Sequence, residues 1–92
     1  MDATAEIQVV PIGAGVSVRK EIQRVVEILS GFDLTMQTHA SGTNLEGDLA
    51  VILRAAETVH ETLHAEGTVR LVTYLKLETR TDKTPTLAGK RL

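Results

Sequence analysis

Val69-Arg70-Leu71-Val72-Thr73-Tyr74-Leu75-Lys76-Leu77-Glu78 alternates residue by residue: Val69, Leu71, Thr73, Leu75 and Leu77 fall on one side, and Arg70, Val72, Tyr74, Lys76 and Glu78 on the other. A period of two marks a β-strand with one face turned to a core. Upstream, Leu49, Ile52, Leu53, Ala56, Val59 or His60, and Leu63 recur at helical spacing, with Asp48 as N-cap and Gly67 as the stop. Before that helix, Leu34 to His39 alternates again, and Ser41-Gly42 turns the chain into Thr43-Asn44-Leu45-Glu46, which predicts a hairpin of two strands.

The first third repeats the plan. Ala5-Glu6-Ile7-Gln8-Val9 reads as a strand that Pro11-Ile12-Gly13-Ala14-Gly15 stops. Val18, Ile22, Val25, Val26 and Leu29 then form one helical stripe, with Ser17 as the expected N-cap and Gly31 as the stop. The order is βαββαβ. Two helices with one apolar stripe each must cover the same face of a four-stranded antiparallel sheet, so the expected fold is an α+β, ferredoxin-like sandwich. A single domain spans 1–92, with a core over 4–79 and a polar C-terminal arm, expected to be an extension or a frayed end, over 80–92.

Strand parity assigns the uncovered face to Glu6, Gln8, Val10, Gln37, His39, Asn44, Glu46, Arg70, Val72, Tyr74 and Lys76. Val10, Val72 and Tyr74 among charges suit a face that meets another subunit, and a homo-oligomer is expected. With 42% apolar and 24% charged residues, a net charge of −2 and no cysteine, disulfides, thiolate zinc sites and cysteine nucleophiles are excluded. One Phe, one Tyr and no Trp, without a positive field, argue against nucleic acid. No apolar run approaches the roughly 18 residues of a membrane span, so a soluble, cytoplasmic protein without a membrane partner is expected.

Three constellations invite chemistry. His60-Glu61-Thr62-Leu63-His64 has the H-E-x-x-H spacing that sets two imidazoles on one side of a helix beside a glutamate base. Where a longer zinc pattern wants a third ligand stands Arg70, a permanent cation, so packed imidazoles are the better expectation and no metal site is assigned. Gly13-Ala14-Gly15-Val16-Ser17 sits where phosphate loops sit, but lacks the third glycine and the Lys-Ser/Thr of nucleotide loops; it can still bring backbone and the Ser17 hydroxyl close to a ligand. Gly42-Thr43-Asn44-Leu45-Glu46-Gly47 brackets a short polar strand with glycines, which often marks close approach by a ligand or another backbone. No catalytic triad or close carboxylate pair is legible, and no enzyme is expected.

The blocks Val9 to Ser17, His39 to Gly47, His60-Glu61 with Gly67, and Arg70 to Lys83 together resemble the thiamine-binding protein family over about Ala5 to Lys83. The resemblance implies a ferredoxin-like subunit that assembles into a tetramer and binds thiamine, or its hydroxymethylpyrimidine part, without a cofactor and without transforming it. It implies ligand contacts at Gly15, Ser17, Thr43 and Glu46, with Glu46 accepting the exocyclic amine and His39 and Tyr74 as ring neighbours. The family's hydroxyl, proline, methionine and aromatic positions are here Ala14, Arg19, Ala40, Ser41 and Met36, and His64 stands at an aromatic position. An oligomeric scaffold or regulatory protein that has lost the pocket is the alternative expectation.

Overall fold

The computed structural model describes residues 1–92. Strand β1 (Asp2–Ile12) is followed by helix α1 (Arg19–Ser30), strands β2 (Thr35–His39) and β3 (Gly42–Asp48), helix α2 (Leu49–Ala65), strand β4 (Arg70–Glu78) and a short 3-10 turn (Ala88–Lys90). The sheet order is β2-β3-β1-β4 and every pairing is antiparallel. This is the ferredoxin-like βαββαβ arrangement expected from the alternation of periods.

The core lies between the sheet and the helices. Ala3, Ala5, Ile7 and Val9 of β1 and Leu45 of β3 meet Val25 and Leu29 of α1 and Ile52, Ala55, Val59 and Leu63 of α2. Met36–Leu45–Ala5–Leu77 forms one inward row across all four strands. The buried stripe of α2 runs through Ala55 rather than Leu53, which is exposed. His60, on the flank of that stripe, bonds through Nε2 to the Thr73 hydroxyl at 2.6 Å and ties α2 to the edge strand β4.

Two local expectations are corrected, and two alternatives left open by the sequence are narrowed. The first strand does not stop at Pro11: it continues to Ile12, because beyond Ile7 only β4 remains registered with it. There the strand is locally an edge, and the missing proline N–H costs no bond on the open side. Ser17 is not the N-cap of α1, since Val18 holds that position without a side-chain bond. Gly13 and Gly15, at φ +81° and +96°, carry the chain round a loop that enters the helix one residue late. Nor is the arm frayed: Pro85 is buried and Leu87 partly so. Finally, the glycine at 42 answers to another backbone, because a Cβ there would stand 2.7 Å from the Ile7 carbonyl oxygen.

The ends of α2 follow the local rules. The Asp48 carboxylate accepts from Ala50 N–H at 3.1 Å and pairs with the Met1 ammonium. At the other end Gly67 N–H bonds to His64 O and Thr68 N–H to Leu63 O, the paired closure that a left-handed glycine permits, and Gly67 has φ +107°.

Leu45 is fully buried at the centre of the inward row. Leu45→Ala is expected to lower stability by about 2–5 kcal/mol, whereas Tyr74→Ala on the opposite face should change it by about 0.5 kcal/mol or less in the isolated subunit. Urea unfolding of both variants, followed by circular dichroism at low concentration, checks the contrast.

Candidate functional site

Strand pairing arranges the uncovered face in rows that run across the sheet. Thr35, Glu46, Thr4 and Glu78 form one row, and Gln37, Asn44, Glu6 and Lys76 the next. One step further, His39 lies opposite Gly42 on β3, and Gln8 lies opposite Tyr74. Each row draws one residue from each strand, which explains why residues from positions 4 to 78 meet on one surface.

The middle row is hydrogen-bonded. Asn44 donates from Nδ2 to Gln37 Oε1 at 3.3 Å, and its Oδ1 lies 3.1 Å from His39 Nε2. The same ring nitrogen stands 3.3 Å from Glu6 Oε2, and Ser41 N–H donates to His39 Nδ1 at 3.3 Å. An imidazole that accepts at Nδ1 and donates at Nε2 satisfies all three neighbours, which fixes the ring over the gap that Gly42, lacking a side chain, leaves in its row.

Glu46 sits half-buried in the outer row. Its Oε1 accepts the backbone N–H of Leu87 at 2.7 Å, so the C-terminal arm is folded back over this end of the sheet. The Lys90 ammonium pairs with Glu78 at the far end of the same row. Between arm and sheet lies a cavity of about 830 Å³, whose lining includes Glu6, Gln37, Asn44, Glu46, Lys76 and Leu87. Hydrogen bonding from Lys90, reinforced by its charge and that of Arg80, holds the Glu78 carboxyl below the ordinary carboxylate range.

A second, smaller cavity of about 300 Å³ lies on the helix side, between the hairpin tip and α1. Val10, Val18, Ile22 and Val26 supply apolar walls, and His39 and Thr43 reach it from the hairpin. Thr43 is buried there, with its hydroxyl 3.4 Å from that of Thr38. It therefore faces away from Glu46, three residues along the same strand, as the alternation of side chains demands. A groove of about 750 Å³ beside Gly13 and Ala14 carries Lys20, Arg70 and the Arg24–Glu66 pair, in which each charge holds the other ionised.

The six residues singled out in the sequence thus divide. His39, Glu46 and Tyr74 share the open face, Thr43 faces the helix-side cavity, and Gly15 and Ser17 stand exposed in the β1–α1 loop. Tyr74 is 64% exposed and stands one row beyond the arm-covered cavity. Sequence reasoning missed Leu87 and Lys90, whose only signal was a proline and a leucine, Pro85 and Leu87, inside a polar tail. The two helix histidines are otherwise engaged: His60 with Thr73, and His64 through Nδ1 with the Thr68 carbonyl at 2.8 Å.

The family model described as thiamine-binding protein matches residues 5–91. The chain belongs to the thiamine-binding protein family. Relatives in that family include a UPF0045 protein of Methanocaldococcus jannaschii, 40% identical over 86 residues that cover 94% of this chain and 85% of the relative. Another, from Synechocystis, is 36% identical over 90 residues, covering 98% and 74% respectively. The crystal structure of a hypothetical protein from Methanocaldococcus jannaschii superposes with a TM-score of 0.90 at 38% identity, over 97% of this chain and 91% of that one. A Thermotoga maritima protein described as a candidate for thiamine biosynthesis or salvage shares the fold, with a TM-score of 0.87 at 22% identity over 98% and 95% of the two chains. The family is one of binding proteins, and no helix of this chain is long and apolar enough to cross a membrane.

Because the Glu78 carboxyl is held low by Lys90, their attraction is present above the ordinary carboxylate range and is lost as the pH falls through the lowered value. Arm protection, measured by hydrogen exchange at residues 85–91, should therefore collapse on acidification below about pH 4. Glu78→Gln should loosen the arm at neutral pH and flatten that acid limb; an unchanged limb would remove the pair from the account.

Proposed function

We propose that the protein binds thiamine, or its hydroxymethylpyrimidine part, without transforming it, and does so as a cytoplasmic homo-oligomer, a tetramer of these subunits. The observation that carries this is the Glu46 carboxylate, half-buried in a cavity of about 830 Å³ and already accepting one N–H at 2.7 Å. Pockets for ligands of this size run from about 300 to 1,000 Å³. An aminopyrimidine edge offers N–H donors beside a ring-nitrogen acceptor. Glu46 matches the donors, and the Asn44 and Gln37 amides, two residues toward the hairpin, can answer the acceptor.

The placing of carboxylates favours the open-face cavity. Thiamine carries a cationic thiazolium, and a cation leaving water needs a counter-charge. The open-face cavity is lined by Glu6, Glu46 and Glu78 together with Lys76, Lys90 and Arg91, and of these carboxylates Glu46 holds only a backbone N–H; no carboxylate lines the hairpin-end cavity. His39 and Tyr74 border the open face as ring neighbours. A second subunit over Val10, Val72 and Tyr74 would exclude water and strengthen each of these interactions. A tyrosine 64% exposed and the unpaired outer edge of β4 support that assembly.

The neutral pyrimidine alone has a second possible seat. The smaller cavity has apolar walls for a flat ring, the Thr43 and Thr38 hydroxyls to read its edge, and the Gly15–Ser17 loop running into its wall at Val18. Calorimetric titration separates the seats. Glu46→Gln, which keeps shape and removes charge, is expected to weaken thiamine binding about tenfold or more while sedimentation shows the same assembly. Thr43→Val should leave thiamine affinity within about twofold of the parent, below the cost of one lost hydrogen bond. A loss confined to Thr43→Val would move the ligand to the hairpin end. Saturable binding by neither the parent nor any variant would leave the scaffold alternative standing.

A further inference from the structure

The arm over residues 80–92 is fastened to the sheet at two points. Of its hydrogen bonds, two reach the sheet: Leu87 N–H to Glu46, and Lys90 to Glu78. Both acceptors belong to the single row Thr35–Glu46–Thr4–Glu78, so the arm straddles it. Its remaining polar bonds are internal, from Arg80 to Asp82, from Gly89 N–H to the Thr86 hydroxyl and within the 3-10 turn. A segment with its own turn and two anchor points can leave and return as a unit, hinged on the exposed stretch 79–84.

The Leu87 bond takes Oε1 of Glu46 and leaves Oε2 open, and the arm that makes it lies over the carboxylate that an incoming amine needs. Resting on the proposed role of Glu46 as amine acceptor, we infer that the C-terminal arm is a built-in competitor for the ligand. Docked, it satisfies Glu46 with its own N–H and walls the cavity with Leu87, Ala88 and Lys90; for a ligand to take Glu46 over, the Leu87 anchor must let go. The apparent affinity is then the intrinsic affinity reduced by the fraction of subunits with the arm released. Such an arrangement keeps a half-buried carboxylate satisfied when no ligand is present, where an unpaired one would be costly.

Leu87 has φ −64°, the angle that a proline ring imposes, so Leu87→Pro deletes the N–H while matching the local backbone. Thiamine titrated into the full-length parent, Leu87→Pro, Glu46→Gln and the double variant tests the idea. Leu87→Pro should bind roughly tenfold tighter, the scale of one hydrogen bond to a charged group. Trypsin should cut faster after Arg80 and Lys83, and the gain should vanish in the double variant. Lys90→Ala, which removes the second anchor, should shift affinity in the same direction and guards against a folding defect in the proline variant. Equal or weaker binding by both arm variants overturns the competition. Should no form bind thiamine, the ligand reading itself fails, and the latch is read without ligand: Glu46→Gln must speed hydrogen exchange at Leu87, and unchanged exchange overturns the latch.

Discussion

A sheet covered by helices on one face only is the constraint on which everything else rests. Because side chains alternate along a strand, each strand of this protein must satisfy two unrelated demands at once, one residue at a time. Odd positions of β1 fill the core with Ala3, Ala5, Ile7 and Val9, while the even positions Thr4, Glu6, Gln8 and Val10 carry the outer surface. Folding and recognition are thus written in the same segments without interfering. A change on the outer side leaves the core volume alone, and the reverse holds equally. The rows of polar side chains come into being because the apolar ones have to face inward.

Much of this was legible in the sequence because periodicity is local. The order of elements, most of both helical stripes, the cap at Asp48 and most of the open face follow from spacing within stretches of a dozen residues, although Ile22 and Leu53 lie exposed and Ala55 takes the buried place. What escaped depended on partners far along the chain. Whether Pro11 ends a strand turns on where β3 stops pairing, which no window around Pro11 contains. Ser17 has the chemistry of a cap, yet two left-handed glycines upstream set where the helix begins. The candidate site divides for the same reason that the sheet works: Thr43 and Glu46, neighbours in one motif, are sent to opposite faces by parity. The docking of the arm was illegible because its anchors, Leu87 N–H and Lys90, acquire meaning only beside Glu46 and Glu78.

The open face also shows how a mildly acidic protein can spread its charges over one surface. Its carboxylates are not massed together; each is separated by a threonine, an amide or a lysine along its row. Glu78 is answered by Lys90 and Glu6 by the His39 ring, which leaves Glu46 holding only a backbone amide. A neutral donor is the easiest of these partners to exchange, since no opposite charge is lost when it departs. Family membership gives this geometry its context, and the geometry in turn singles out one carboxylate from the several on the surface.

β1 is made well before either of its partners. On the ribosome, β1 emerges while both of its partners are still to come: β3 begins at Gly42 and β4 at Arg70. Its row of Ala3, Ala5, Ile7 and Val9 and both of its hydrogen-bonding edges must therefore wait until β4 has been synthesised. A nascent chain of this protein is a hydrophobic strand with two open edges, and its period of greatest exposure to misassociation falls before the molecule has any function to perform.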